Sequence, residues 1–145
     1  MKKVNMYTDG ACKGNPGAGG YGCILVFGER EKVISGGEKS TTNNRMELSA
    51  VIAGLSALKE PCEVTITSDS KYVVSAIEEG WLSSWIKNGW KKSDKKPVLN
   101  VDLWQKYLEV SAAHKIKYVW VRGHNGHEYN ERCDALAVLE AEKFL

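Results

Sequence analysis

The 145-residue sequence has no apolar run long enough to cross a membrane. A helix that spans a bilayer needs about 20 predominantly apolar residues, whereas the apolar stretch at residues 23–27 has the length of a strand. No signal peptide is visible, because the sequence passes directly from Met1-Lys2-Lys3 into a short segment that alternates polar and apolar residues. We therefore expect a cytoplasmic protein with no membrane partner.

The four cysteines lack the C-x-x-C pairing that is typical of zinc sites and redox motifs. A chain of this length buries about 68–70% of its unfolded surface, so it does not need disulfides for stability. We interpret Cys12, Cys23, Cys62 and Cys133 as reduced thiols, which agrees with a cytosolic location. The length predicts a single domain over residues 1–145.

The net charge of +2 is small, but its distribution along the chain is uneven. Residues 87–96 have a net charge of +4, which leaves −2 for the rest of the chain. The basic residues of this segment are Lys87, Lys91, Lys92, Lys95 and Lys96. A basic segment on a weakly acidic body indicates a surface that binds a polyanion.

The pattern of apolar residues predicts the element order βββαβαααβα in an α/β fold. Strands are predicted at residues 3–9, 21–27, 32–35, 63–67 and 116–121, with a glycine-rich turn at 10–20. Helices are predicted at 44–59, 70–78, 81–88, 101–113 and from 129 to the C-terminus, with Asn100 as an N-cap. An antiparallel meander followed by βαβ crossings implies a five-stranded mixed sheet with helices on both faces.

Four acidic residues occur next to turn-forming or polar clusters, and each has an ordinary structural interpretation. Asp9 precedes Gly10 in a common turn pair. Glu47 lies three residues after Asn44, which is the spacing of a capping box. Asp69 could cap the second helix, and Asp134 could be a solvated surface acid.

The positions of these four acids also predict a shared site. Asp9 and Asp69 both end predicted strands, and they become adjacent if the first and fourth strands are parallel neighbours. Carboxylates brought together repel one another unless a cation binds them, and Mg²⁺ prefers carboxylate and water oxygens. A four-carboxylate site with room for two ions is typical of metal-assisted phosphodiester cleavage.

The motifs along the chain resemble those of ribonuclease HI, the type 1 ribonucleases H of bacteria, in order and over essentially the whole length. The matching segments are YTDGACKGNPG (7–17), TNNRMEL (42–48), SDSKYV (68–73), GHNGH (123–127) and NERCD (130–134). Residues 89–92 and 95–100 resemble the basic protrusion of that family. The resemblance implies a ribonuclease H-like fold and an endonuclease that cuts the RNA strand of RNA–DNA hybrids, leaving a 5′-phosphate and a 3′-hydroxyl.

The resemblance also implies a catalytic role for five residues. Asp9 is expected to bridge two Mg²⁺ ions, for which Mn²⁺ could substitute. Asp134 is expected to hold, with Asp9, the ion that activates the attacking water. Glu47 and Asp69 are expected to hold the ion that stabilises the departing 3′-oxygen. His124 resembles the histidine that assists turnover in the family.

Substrate contacts are implied by the same comparison. The residues expected along the RNA strand, where 2′-hydroxyls distinguish RNA from DNA, are Asn15, Asn43, Asn44 and Glu47. Thr42 and Asn100 are expected to grip a DNA phosphate, but Ser40 stands where some relatives have an arginine. The other residues expected at the substrate are Cys12, Tyr72, Trp81, Trp85, Trp90 and the five lysines of residues 87–96. Without the resemblance, the asparagines fit ordinary turns, and the tryptophans fit local packing.

Two other functions remain open from the residues alone. A structurally related DNA nuclease would share the acids at the strand ends but not the asparagine-rich turns. A non-catalytic nucleic-acid binder would use the lysines and tryptophans without cleavage. A metal-free ribonuclease is disfavoured, because it commonly needs histidines as general acid and base, and two of the three histidines here lie in one short segment. We expect a monomer.

Overall fold

A computed structural model describes residues 1–122 and 127–145 of the chain. The strands are β1 (Lys2–Gly14), β2 (Gly17–Phe27), β3 (Arg30–Thr41), β4 (Cys62–Ser68) and β5 (Lys115–Trp120). The helices are α1 (Asn43–Ser56), α2 (Lys71–Glu78), α3 (Trp81–Lys87), α4 (Val101–Ser111) and α5 (Glu128–Glu142). The strands form one sheet in the order β3-β2-β1-β4-β5. The predicted element order and five-stranded mixed sheet are therefore confirmed.

The first three strands form a longer meander than the sequence pattern predicts. The predicted turn at residues 10–20 is too long: β1 and β2 remain paired up to Gly14 and Gly17, so only residues 15–16 form the turn. The glycines of this stretch lie in strands against helices: a Cβ on Gly19 would lie 2.9 Å from Met46 Cγ, and one on Gly20 would lie 2.7 Å from Ala141 N. Glycine here permits close packing, and a composition-based pattern mistakes this for a turn.

Helices cover both faces of the sheet, as predicted. Neighbouring residues of a strand point to opposite faces, and on β1 these faces contact different helices. Met6 is fully buried, and its Sδ approaches Gly54 of α1. Tyr7 stacks on Tyr129 of α5, with ring centroids 4.4 Å apart. The main core lies on the α1 side, where the fully buried Trp104 of α4 joins the cluster.

The pairing of β1 with β4 determines where the predicted site forms. The two strands are parallel, with Met6 opposite Ile66 and Tyr7 opposite Thr67. Asp9 and Asp69 therefore follow these pairs at the same edge of the sheet, which confirms the expected adjacency of the two strands. Within the described part of the chain, no helix is both long and apolar enough to cross a membrane.

The helix N-termini exclude the two alternative interpretations that are based on capping. The side chain of Thr42, not Asn44, caps α1 by accepting a hydrogen bond from Arg45 N. Ser70, not Asp69, caps α2. Asn100 occupies the N-cap position of α4, but it has a left-handed backbone and no capping side-chain bond. The predicted N-cap position of Asn100 is confirmed, but its side chain bonds to Arg45 and Tyr72 and not to the helix backbone.

Candidate active site

Three of the predicted acids converge at the point where the parallel pairing of β1 with β4 ends. One carboxylate oxygen from each of Asp9, Glu47 and Asp69 lies within 4.8 Å of the others. Asp9 is 4% exposed and Glu47 is 5% exposed, whereas Asp69 is partly buried. A buried group of three carboxylates is costly for a folded protein unless a cation or protons neutralise it.

The close approach of β1 to α1 brings Glu47 to Asp9. A Cβ on Gly10 would lie 2.5 Å from Glu47 N and 2.6 Å from the carbonyl carbon of Met46. Both atoms belong to the helix backbone, which cannot move aside as a flexible side chain can. Gly10 N also donates a 2.9 Å hydrogen bond to Asp9 Oδ1. The glycine therefore determines both the helix position and the carboxylate orientation.

We expect Gly10→Ala to destabilise the protein by roughly 1–3 kcal/mol, because an added methyl group would collide with a helix backbone. The rate of cleavage should fall by more than the loss of folded protein accounts for, since the collision would push Glu47 away from Asp9. Urea unfolding and steady-state kinetics on the same sample would measure the two effects. Ser56→Ala is a suitable control, because Ser56 is exposed at the opposite end of the same helix. Equal activity of the Gly10→Ala variant and the wild type would contradict this role.

The electrostatics of the cluster reflect its crowding. The pKa of Asp9 is raised to about 7 by burial and by the charges of Asp69 and Asp134, against the lowering effect of hydrogen bonds from Glu47 and Gly10. The pKa of Glu47 is raised well above its usual value by burial, then by the charges of Asp9 and Asp69. Both groups therefore bind protons more readily than ordinary carboxylates do when no cation is bound.

Asp134 lies beside this cluster on α5. It is partly buried and lies outside the group of three oxygens that share the 4.8 Å limit. Its charge nevertheless reaches Asp9, whose pKa it raises. The interpretation of Asp134 as a fully solvated acid is therefore wrong, and the interpretation of Asp9-Gly10 as a turn pair fails because both residues lie within β1.

The donors of the cluster suit a hard divalent cation. Asp9, Glu47 and Asp69 offer only oxygen atoms, the ligands that Mg²⁺ prefers. Glu47 Oε2 is buried and has no hydrogen-bond partner among the described residues. A buried acceptor without a partner is rare and calls for a specific explanation, and a cation at this position would provide one.

Two residues expected at a DNA phosphate are connected through Arg45. Arg45 N donates to Thr42 Oγ1, and Arg45 Nη1 donates to Asn100 Oδ1 at 3.2 Å. The guanidinium also forms a bidentate pair with Asp102, at 2.8 and 2.9 Å. Sequence patterns did not identify Arg45, because its partners lie 55 and 57 residues away and no local spacing indicates them.

Tyr72 extends this network toward the aromatic residues. Its hydroxyl accepts hydrogen bonds from Asn100 Nδ2 at 3.1 Å and from Trp104 Nε1 at 2.9 Å. Trp104 also lies edge-on to Trp85, with ring centroids 6.0 Å apart. Tyr72 and Trp85 therefore belong to the packing that supports this surface, and both are only partly exposed.

The predicted basic segment forms a protrusion, residues 90–98, next to α3. Its ends are joined by a hydrogen bond from Val98 N to Trp90 O at 3.0 Å, and its tip by one from Lys92 N to Lys96 O at 2.9 Å. Trp90 packs partly against the core. The four lysines of the protrusion are exposed, as is Lys87 at the end of α3.

A groove of about 410 Å³ separates α3 from this protrusion. Its lining combines aromatic, basic and small polar side chains: Trp81, Ser84, Trp85, Asn88, Lys91, Lys92 and Ser93. Trp81 is 43% exposed, so local packing does not account for its position. Local packing accounts better for Trp85 and Trp90, which contact the core.

The remaining predicted residues are distributed around the cluster. Asn43 and Asn44 are exposed in the first turn of α1, and Asn15 is exposed in the β1–β2 turn. Cys12 is partly buried on β1, where its thiol donates to the carbonyl oxygens of Gly17 and Thr41. His124 lies outside the described residues.

Comparisons with known proteins give one consistent family. The RNase H family model matches residues 1–142. A ribonuclease H of Acetivibrio thermocellus is 56% identical over 99% of this chain and 97% of its own length. A ribonuclease H of Janthinobacterium sp. is 60% identical over 94% of each chain. The crystal structure of LC9-RNase H1, described as a type 1 RNase H with the type 2 active-site motif, has a TM-score of 0.88 and 31% identity over 100% of this chain and 74% of its own.

Proposed function

This chain belongs to the ribonuclease H family, and we propose that it hydrolyses the RNA strand of RNA–DNA hybrids at a site that holds two divalent metal ions. The products are an RNA fragment with a 5′-phosphate and one with a 3′-hydroxyl. The observation that carries the proposal is the convergence of Asp9, Glu47 and Asp69, whose oxygens lie within 4.8 Å of one another. Such a group has the donors for metal-assisted phosphodiester hydrolysis.

The carboxylates would have different roles around the scissile phosphate. Bound Mg²⁺ would lower the pKa of the attacking water and neutralise charge on the departing 3′-oxygen. Asp9 and Asp134 would hold the ion on the water side, and Asp9, Glu47 and Asp69 the ion on the leaving-group side. The Gly10 N–H keeps Asp9 Oδ1 in a fixed orientation, so the carboxylate does not have to reorient during the reaction.

Recognition of the hybrid would use residues at the start of α1, the helix that carries Glu47. Asn43 and Asn44 are exposed at the start of α1, four and three residues before Glu47, where their amides could reach the 2′-hydroxyls of RNA. At the same end of α1, Thr42 and Asn100 would grip a DNA phosphate, with Arg45 hydrogen-bonded to both. The Arg45 guanidinium is paired with Asp102, so in this proposal it holds Asn100 in place and does not supply the positive charge that is missing at Ser40.

Turnover would depend on a titratable group near the products. We assign this role to His124, because the charge of an imidazole can change near neutral pH. The basic protrusion and the groove lined by Trp81 would bind the hybrid beyond the cleavage site. Stacking on an aromatic ring and lysine–phosphate contacts do not depend on the base sequence.

A substrate panel tests the proposal. The protein is incubated in Mg²⁺ with an RNA–DNA hybrid, duplex DNA and duplex RNA of the same sequence, each with the RNA or one DNA strand labelled. We expect cleavage of the RNA strand of the hybrid alone, because the site reads RNA sugars on one strand and a DNA phosphate on the other. Mass spectrometry of the fragments would identify the 5′-phosphate and 3′-hydroxyl ends.

Chelation provides the second part of that test. EDTA should abolish cleavage, and excess Mg²⁺ should restore it, because uncompensated carboxylates at the site would repel the phosphate. Comparable cutting of duplex DNA would favour a DNA nuclease, and hybrid binding without cleavage in either Mg²⁺ or Mn²⁺ would favour a non-catalytic binder. Cleavage in EDTA would refute the metal assignment.

A further inference from the structure

Trp120, the last residue of β5, is joined to one of the metal-site carboxylates through the backbone. Its Nε1 donates a 3.1 Å hydrogen bond to the carbonyl oxygen of Asp69. The bond links the end of β5 to the short connection between β4 and α2. Neither the sequence pattern nor the role proposed for the carboxylates gives Trp120 a function.

The connection that carries Asp69 is held on both sides. Before Asp69, Ser68 O accepts from Val121 N at 3.0 Å, and Ser68 Oγ accepts from Ser70 N at 3.0 Å. After it, Ser70 Oγ caps α2 by accepting from Val73 N. The Trp120 indole bonds the carbonyl of Asp69, which lies in the same peptide plane as the Ser70 N–H, so this plane is held at both its N–H and its C=O. The two peptide planes that flank a residue set the direction of its Cα–Cβ bond, and so the direction of its carboxylate.

Burial does not explain why a tryptophan stands at this position. Trp120 is 41% exposed, so its ring contributes little to the core. One ring face is covered by Lys71, whose Nζ lies 5.3 Å from the ring centroid, within the range of a cation–π contact. Lys71 is the first residue of α2. The ring is therefore contacted by the residue that directly follows the β4–α2 connection, and the indole N–H bonds to Asp69 within that connection.

We propose that Trp120 is a positioning residue that presents the Asp69 carboxylate to a divalent cation. The inference rests on the metal site proposed above, because it requires that Asp69 be a ligand. Asp69 is the most exposed member of the oxygen cluster, and burial therefore constrains it less than Asp9 or Glu47. The hydrogen bond that Trp120 donates to the Asp69 carbonyl constrains this residue where burial does not.

The test deletes the indole N–H and follows metal binding directly. Trp120→Phe keeps an aromatic ring but removes the donor, and incorporation of benzothienylalanine at position 120 replaces Nε1–H by sulfur at nearly constant shape. Mg²⁺ alone is titrated into each protein, and the amide resonances of residues 69 and 70 are followed by heteronuclear NMR. We expect about 3- to 10-fold weaker Mg²⁺ binding in both variants, the effect of removing one ordinary hydrogen bond, and a matching rise in the Mg²⁺ concentration for half-maximal cleavage.

Three controls make the outcome decisive. Val119→Ala alters the same edge strand and should leave Mg²⁺ binding unchanged. Asp69→Asn should weaken it more than either Trp120 variant; if it does not, the metal assignment itself is wrong. If Asp69→Asn weakens binding but both Trp120 variants bind Mg²⁺ like the wild type, the inference about Trp120 is overturned while the proposed function stands. A lower melting temperature with unchanged Mg²⁺ binding would also overturn it, since that is the result of a purely structural role.

Discussion

Asp9→Asn is expected to lower hybrid cleavage by roughly 10³-fold or more, the scale of removing a central electrostatic interaction in a catalytic site. Asp9 occupies the centre of the cluster: its side chain is affected by Glu47, Asp69 and Asp134. Asparagine keeps the shape and the acceptor for Gly10 N but lacks the charge that binds a cation. Binding of the hybrid should remain within a few-fold of wild type, because the basic protrusion is unaffected. Single-turnover kinetics and a filter-binding titration would measure the two quantities.

The same substitution should make the protein more stable. The pKa of Asp9 is about 7 in the folded state, compared with about 3.9 in an unfolded chain, so the folded state binds the proton more tightly. Stability of the metal-free protein should therefore fall as the pH rises from about 4 to about 7. Asp9→Asn removes this destabilisation, and we expect a gain of roughly 1–3 kcal/mol at pH 8 in EDTA.

A matched control separates the site from a general charge effect. Glu29→Gln removes one acid from the exposed β2–β3 turn and should change neither cleavage nor the pH dependence of stability. Undiminished cleavage by Asp9→Asn would remove Asp9 from the mechanism. If the free energy of unfolding changes with pH in the same way in the wild type and in Asp9→Asn, the buried charge of Asp9 does not destabilise the protein.

The proximity of Asp9 and Asp69 could be predicted from the sequence, although the prediction that Asp9 ends its strand is wrong, because β1 continues to Gly14. Period-two alternation located the strand that leads to Asp9 and the one that leads to Asp69, and parallel pairing then places both residues at one edge of the sheet. The helix of Glu47 was also recognisable from its composition. These predictions rest on local patterns and on rules of chain topology, which need no knowledge of individual side-chain interactions.

Features that depend on packing between distant residues could not be predicted in the same way. The glycines at 19 and 20 resemble a turn in composition, but the helices packed on them, α1 and α5, follow much later in the chain. Asn100 stands where a cap is expected, yet its side chain bonds to Arg45 and Tyr72 instead. The partner of a polar side chain is decided by packing, and local sequence contains little information about it.

Neutralising the basic protrusion is expected to have the largest effect on hybrid binding. Four lysines, Lys91, Lys92, Lys95 and Lys96, are exposed on a protrusion whose shape is maintained by backbone hydrogen bonds. Changing all four to glutamine should therefore leave the fold intact. Each lysine that binds a phosphate releases counterions. We expect affinity at 50 mM salt to fall by about 10- to 100-fold, and the slope of log K against log salt to become shallower by roughly one for each phosphate that a lysine no longer neutralises.

The control for this variant carries the same change in charge on another surface. Lys3, Lys32, Lys115 and Lys117 are exposed on the strands, and none lies on the protrusion. Their replacement by glutamine should reduce affinity only slightly, because long-range attraction between exposed charges is screened beyond about 8–10 Å at ordinary ionic strength. If both quadruple variants show the same fall in affinity, net charge rather than the protrusion accounts for binding. If the protrusion variant binds normally but its single-turnover rate falls, the lysines act on the chemical step, and the assignment of the protrusion to hybrid binding is wrong.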